Sequence, residues 1–162
     1  MSTIVTAGRD PAFEDEFIQH ITKIFEELIV FNRMLGLRIV HIGADRATTR
    51  IEMRNDLVGH FASGRVHGGV ISAALDTTGG LAVMAAIGAR HMDEPPMQRL
   101  ARFAKLGTID LRVDYLRPAL GDVFEMHAEV LRLGSRVAST RMEFKGADGK
   151  LFSTGSATYI VS

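Results

Sequence analysis

The sequence predicts an α+β fold, a curved antiparallel sheet wrapped around one long central helix, with an extra helix on the N-terminal side. Three observations carry this. The segment His67–Ala89 holds a single charged residue, Asp76, in 23 residues, an apolar content that suits a buried helix. Four segments between Ile109 and Val161 alternate apolar and polar residues with a period of two and are joined by short turns, the pattern of antiparallel strands. A further pair, Leu37–Ile42 and Arg46–Met53, reads as a hairpin around Gly43-Ala44-Asp45. A sheet with one apolar face has to cover it, and the His67–Ala89 helix is the one element apolar enough to do so. At 162 residues the chain is a single domain, 1–162, long enough to bury a core without metal or disulfide staples.

The elements follow in order. Residues 1–11, with Gly8 and Pro11, read as a loose lead-in, and residues 1–35 together as an N-terminal extension and helix. From Phe13 the apolar residues Phe17, Ile21, Ile24, Phe25, Leu28, Ile29 and Phe31–Leu35 keep helical spacing, with Glu14–Glu16 in the first turn, Arg33 near the end and Gly36 as the stop. In the second strand of the hairpin Ala47, Thr49, Ile51 and Met53 form one face. Asn55–Val66 has no sustained period and reads as a loop. The long apolar helix raises the question of a membrane span, which its central carboxylate and its glycine pairs argue against. His91–Lys105, with Pro95-Pro96, reads as a mobile surface connection. Ile109, Leu111, Val113 and Tyr115 then face one way; Phe124, Met126, Ala128 and Val130 follow, then Ala138, Thr140, Met142 and Phe144, and a last run over Leu151–Val161. Turns at Arg117-Pro118…Gly121-Asp122, Leu133-Gly134-Ser135 and Gly146–Gly149 join them into an expected meander.

Composition narrows the chemistry. The chain has no cysteine, so disulfides, a Cys nucleophile and thiolate metal sites are excluded. Lys and Arg number 19, as do Asp and Glu, and nothing in that balance points to nucleic acid or an anionic membrane. Met1–Asp15 lacks the basic start and apolar stretch of a signal peptide, so a cytoplasmic location is expected. The six histidines form no HExxH or His-rich cluster, and no G-x-G-x-x-G or P-loop occurs, so neither metal nor cofactor is expected.

Two features invite a chemical reading. Asp76, mid-helix in an apolar segment, is costly unless paired or hydrogen-bonded. It is either a structural residue bonded to hydroxyls such as Ser72, Thr77 or Thr78, or a carboxylate that a water-poor cleft requires. His67-Gly68-Gly69 opens the same helix, where free backbone N–H groups and an absent side chain make a place for an oxyanion.

The stretches "GRVHGGVISAALDTTGG", "TIDLRVDYLRPALGD" and "LRLGSRVASTRMEF" resemble the hotdog-fold acyl-CoA thioesterases of the phenylacetyl-CoA thioesterase-like group, over roughly Leu35–Val161. The resemblance implies a hotdog-fold homodimer, or a homotetramer as a dimer of dimers, that cleaves an acyl-CoA. By motif, Asp76 matches the catalytic carboxylate, Gly68 the N–H that polarises the carbonyl, and Thr108 a hydroxyl that helps position water. His60 stands where relatives usually carry Asn, which adds a titratable group to the expected site. His67 and Gly69 are expected at the substrate, as is the turn Gly134-Ser135-Arg136, where Arg136 would meet a CoA phosphate. Arg65, Arg90, Arg99 and Arg102 are either further phosphate ligands or surface charges. The expected reaction is hydrolysis of a medium- or long-chain acyl-CoA, with Asp76 as general base or nucleophile. The alternatives are a hotdog enoyl-thioester hydratase or dehydratase and a non-catalytic acyl-CoA-binding module.

Overall fold

The computed structural model describes residues 13–162; the expected lead-in over residues 1–11 lies outside them. The elements run α1 (Asp15–Lys23), α2 (Val30–Leu35), β1 (Arg38–Ile42), β2 (Arg46–Glu52), β3 (Val58–His60), β4 (Arg65–Val66), α3 (Gly68–Arg90), α4 (Pro96–Ala101), β5 (Gly107–Tyr115), β6 (Val123–Leu133), β7 (Val137–Gly146) and β8 (Leu151–Ile160). Six strands form one antiparallel sheet in the order β1-β2-β6-β7-β8-β5. Its inner face carries Ala47, Ile51, Phe124, Met126, Ala128, Met142, Phe144 and Tyr159, all buried against Ala74, Leu75, Ala82 and their neighbours on α3. This is the hotdog fold. α3 is long and apolar enough to span a membrane by length and composition, but 72 % of its most apolar stretch is buried inside the protein. It is the core helix.

Four expectations need correction. The strands do not form a four-strand meander in chain order. β6, β7 and β8 are consecutive neighbours, but β5 pairs with β8 and forms the opposite edge of the sheet from β1. Residues 116–122 are therefore a crossover: the amides of Leu116 and Arg117 bond the Phe152 carbonyl, and the Asp122 carbonyl accepts from Met53 at the far side.

The N-terminal helix is not continuous. After α1, residues Ile24–Leu28 make a π turn, closed by Ile29 N–H to the Ile24 carbonyl at 3.0 Å, and Ile29 itself is extended. A regular helix would carry Leu28 onto the buried face of Phe17, Ile21 and Phe25. The extra residue of the π turn rotates Leu28 to solvent and brings Asn32 inside, where its side-chain amide donates to the Phe25 carbonyl at 2.9 Å.

Asn55–Val66 is not simply a loop, since a 3₁₀ turn (Asn55–Leu57) leads into a small β3–β4 hairpin. Nor is His91–Lys105 only a connection. Pro96 starts α4, as proline suits a first helical position, and Arg99 is 0 % exposed, ion-paired with Glu14 and stacked 4.7 Å from the Phe17 ring centroid. Arg99 is thus a core clamp for α1, and not a phosphate ligand or a surface charge.

Candidate active site

Asp76 lies on α3 facing β5. Its Oδ1 accepts a hydrogen bond from Thr108 Oγ1 at 2.9 Å, and its backbone carbonyl accepts one from the Tyr159 hydroxyl at 2.8 Å. Thr108 and Tyr159 are cross-strand partners, so one register position brings both donors to one helix residue. A bulge makes this possible. The β5–β8 register shifts between Thr108 and Asp110, leaving Ile109 as the extra residue. Strict alternation from Leu111, Val113 and Tyr115 would turn Ile109 inward and Thr108 out. The bulge reverses the face, so Thr108 meets Asp76 while Ile109 is 56 % exposed.

Tyr159 can come this close because Gly79 has no side chain: a Cβ there would stand 2.7 Å from Met142 Sδ and strike the Tyr159 hydroxyl. Burial, and then the nearby Asp76 charge, push the Tyr159 phenol well above its ordinary pKa, so it remains a donor. Of the alternative partners for Asp76, Ser72 and Thr78 are engaged elsewhere. Ser72 donates to the Gly69 carbonyl at 3.1 Å, and Thr78 to the Ala74 carbonyl at 2.7 Å while also meeting Thr49 at 2.6 Å. Asp76 itself is only partly buried within one chain, so the enclosed cleft expected from the sequence is not complete there.

The start of α3 is the second half of the site. His67 caps the helix: its Nδ1 accepts the Gly69 N–H at 2.9 Å, and its carbonyl accepts from Val70 and Ile71. The Gly68 N–H is left with no hydrogen-bond partner among the described residues. The last residue of β5, Tyr115, packs its ring on Gly68 and donates its hydroxyl to the Gly68 carbonyl at 2.9 Å. One strand therefore braces both halves, Thr108 at Asp76 and Tyr115 at Gly68.

The remaining expected residues stand apart. His60 is exposed at the end of β3, its ring stacked on Phe61 at 5.6 Å and its Nδ1 3.2 Å from Ser63 Oγ. Gly134-Ser135-Arg136 is a hairpin turn closed by Gly134 N–H to the Val137 carbonyl at 2.9 Å, with Ser135 and Arg136 exposed. Arg90 donates to the carbonyls of Leu133 and Gly134, which fixes this turn at the end of α3 remote from Gly68. Arg102 pairs with Glu94. Among the described residues no group of three or more His, Asp or Glu could hold a metal ion.

Sequence reasoning missed Tyr115, Tyr159 and Gly79. The glycine left a signal, because a glycine inside a helix costs about 1 kcal/mol relative to alanine and marks a close approach. The tyrosines left none, because their partners are backbone carbonyls.

A sheet that wraps one core helix defines a class of fold, and within it the chain belongs to the thioesterase superfamily, whose family pattern matches residues 63–153. Its individual relatives agree. The chain is 34 % identical to the medium/long-chain acyl-CoA thioesterase YigI of Salmonella typhimurium, over 99 % of both chains. It is 32 % identical to the Escherichia coli protein of that name, again over 99 % of both. A Shewanella oneidensis protein related to the thioesterase superfamily superposes with a TM-score of 0.85 at 35 % identity, covering 91 % of this chain and 96 % of that one.

Proposed function

We propose that the protein hydrolyses a medium- or long-chain acyl-CoA to the free acid and CoA in the cytoplasm. The observation that carries this is the pairing of an oriented carboxylate with a free amide donor on one helix. Thr108 holds Oδ1 of Asp76, which leaves Oδ2 to act. It takes a proton from the water that attacks the thioester carbonyl carbon, or it attacks that carbon itself and the resulting anhydride is hydrolysed. The carbonyl oxygen gains the negative charge, and the Gly68 N–H receives it. Collapse breaks the C–S bond and releases CoA as a thiolate, a leaving group that needs no strong acid. His67, through its cap, and Gly69 shape the oxyanion site; His60 orients the water or the carbonyl, and the Gly134-Ser135-Arg136 turn contacts the CoA part of the substrate.

The two groups cannot act on one carbonyl from a single chain. Gly68 and Asp76 are eight residues apart, about 12 Å along a helix, whereas each must come within about 3 Å of the reacting atoms. A two-fold axis that packs two α3 helices antiparallel brings Gly68 of one chain beside Asp76 of its partner. The β5 edge suits such pairing. Its outer side has no strand partner among the described residues, and Ile109 and Tyr115 on it and Leu116 just beyond it are exposed. The unit is therefore a homodimer with two composite sites, and dimers can pair further into a tetramer.

Thiol release measured across a series of acyl-CoA chain lengths tests the function. Turnover is expected to rise from short to medium and long chains. No release at any length, or hydration of an enoyl-CoA in its place, would contradict it. The hydratase reading is disfavoured by His67, whose Nδ1 is tied to the helix start instead of facing Asp76.

A further inference from the structure

A cavity of about 440 Å³ opens beside Gly68, walled by Ile71, Tyr115 and Leu116 and flanked by Arg65 on β4 and Arg117 on the crossover. Its charge is one-sided: two arginines line it, and no Asp or Glu does. The cavity of about 330 Å³ on the outer face of the sheet is different. There Arg141 is paired with Glu129 at 2.8 Å, and Lys145 with Glu143 at 2.5 Å.

Most of the arginines considered for phosphate binding are already engaged, Arg99 by Glu14, Arg102 by Glu94 and Arg90 by two carbonyls. Arg65 and Arg117 make neither an ion pair nor a side-chain hydrogen bond with any described residue. Their backbones are nevertheless fixed. The Val66 N–H donates to the Ala119 carbonyl at 3.0 Å, and the Leu116 and Arg117 amides donate to the Phe152 carbonyl at 3.0 and 3.2 Å. Two like charges held around one cavity repel each other, and a bound anion relieves that repulsion. The guanidinium fork is also the side chain best matched to phosphate oxygens.

We infer that Arg65 and Arg117 bind phosphate groups of the CoA half of the substrate. The CoA end of the thioester then runs along this cavity, and the acyl chain leaves Gly68 on the other side. The inference rests on the reading of Gly68 as the carbonyl donor. It adds a phosphate contact beside the reacting carbonyl, separate from the turn at Arg136.

The test compares an acyl-CoA with the matching acyl-pantetheine thioester, which lacks the phosphates. In R65A/R117A, KM for acyl-CoA is expected to rise about tenfold or more, while KM for acyl-pantetheine changes less than about twofold. R65K/R117K, which keeps the charge and removes the fork, should give an intermediate rise. Equal rises for both thioesters, or a rise for neither, overturn the proposal. Titration of CoA alone onto wild type and R65A/R117A reads the cavity without turnover. If wild type releases no thiol yet binds CoA and the variant does not, hydrolysis fails as the function and the phosphate site stands. If wild type does not bind CoA, the phosphate site fails.

Discussion

The two edges of the sheet are treated in opposite ways. At β1 the N-terminal segment closes the edge: Glu26, in the π turn, accepts the Ile39 N–H at 2.8 Å through Oε1 and pairs with Arg38 at 2.8 Å through Oε2. A carboxylate set against an edge amide blocks further strand pairing. At β5 no strand among the described residues pairs with the outer side, and the strand carries Thr108 and Tyr115, the two residues that brace Asp76 and Gly68. A protein that closes one edge with a helix can also close the other. In the dimer proposed above, this open edge, with Thr108 on it, is where the second chain pairs.

Variants of the two edges should behave differently. The largest effect is expected at Asp76. D76N keeps the shape and removes the proton acceptor, so thiol release should fall by at least about 10²-fold with the thermal transition retained. Next comes β5 itself. T108A removes a hydrogen bond to a charged group, worth about 1.5–3 kcal/mol, so kcat should fall roughly tenfold, and T108S should recover most of it. An unchanged kcat in T108A would separate the bulge from the chemistry. I109E places a charge on the open edge, and sedimentation or light scattering should show weaker self-association, with activity per chain rising with protein concentration. The smallest catalytic effect is expected at β1. E26A leaves the half-buried Ile39 amide without its acceptor and should cost about 1–3 kcal/mol of stability, read as a lower denaturant midpoint, while kcat of the folded protein is unchanged.

The same contrast explains what could be read in the sequence. β2, β6 and β7 were legible because a one-sided buried strand forces alternation, and Ala47, Thr49 and Ile51, or Phe124, Met126 and Ala128, are all buried as that pattern demands. On β5 the alternation misleads. Leu111 and Val113 lie on the face it predicts, but the bulge at Ile109 is a property of pairing with β8, and nothing within residues 107–115 announces it. The placement of β5 next to β8, where a β6 neighbour was expected, has the same origin, since partner choice is set by the crossover and not by local pattern. The break in the N-terminal helix did leave a trace. Leu28–Phe31 is a run of four apolar residues, and no single helical face buries four in a row; all four are exposed. Asp76 and Gly68 were nameable from residue type and position on the helix, and Thr108 only through the resemblance. How Thr108 reaches Asp76, and the hold of Tyr115 on Gly68, required the fold.

Complementation tests the composite site most directly. D76N and G68P, which removes the amide donor, should each be nearly inactive alone. When the two chains are refolded together at equal amounts, half the dimers are mixed, and each mixed dimer has one site with both lesions and one with neither. About a quarter of wild-type activity should return. If mixed dimers form and no activity returns, Gly68 and Asp76 act within one chain, and the open β5 edge is not where the site is completed.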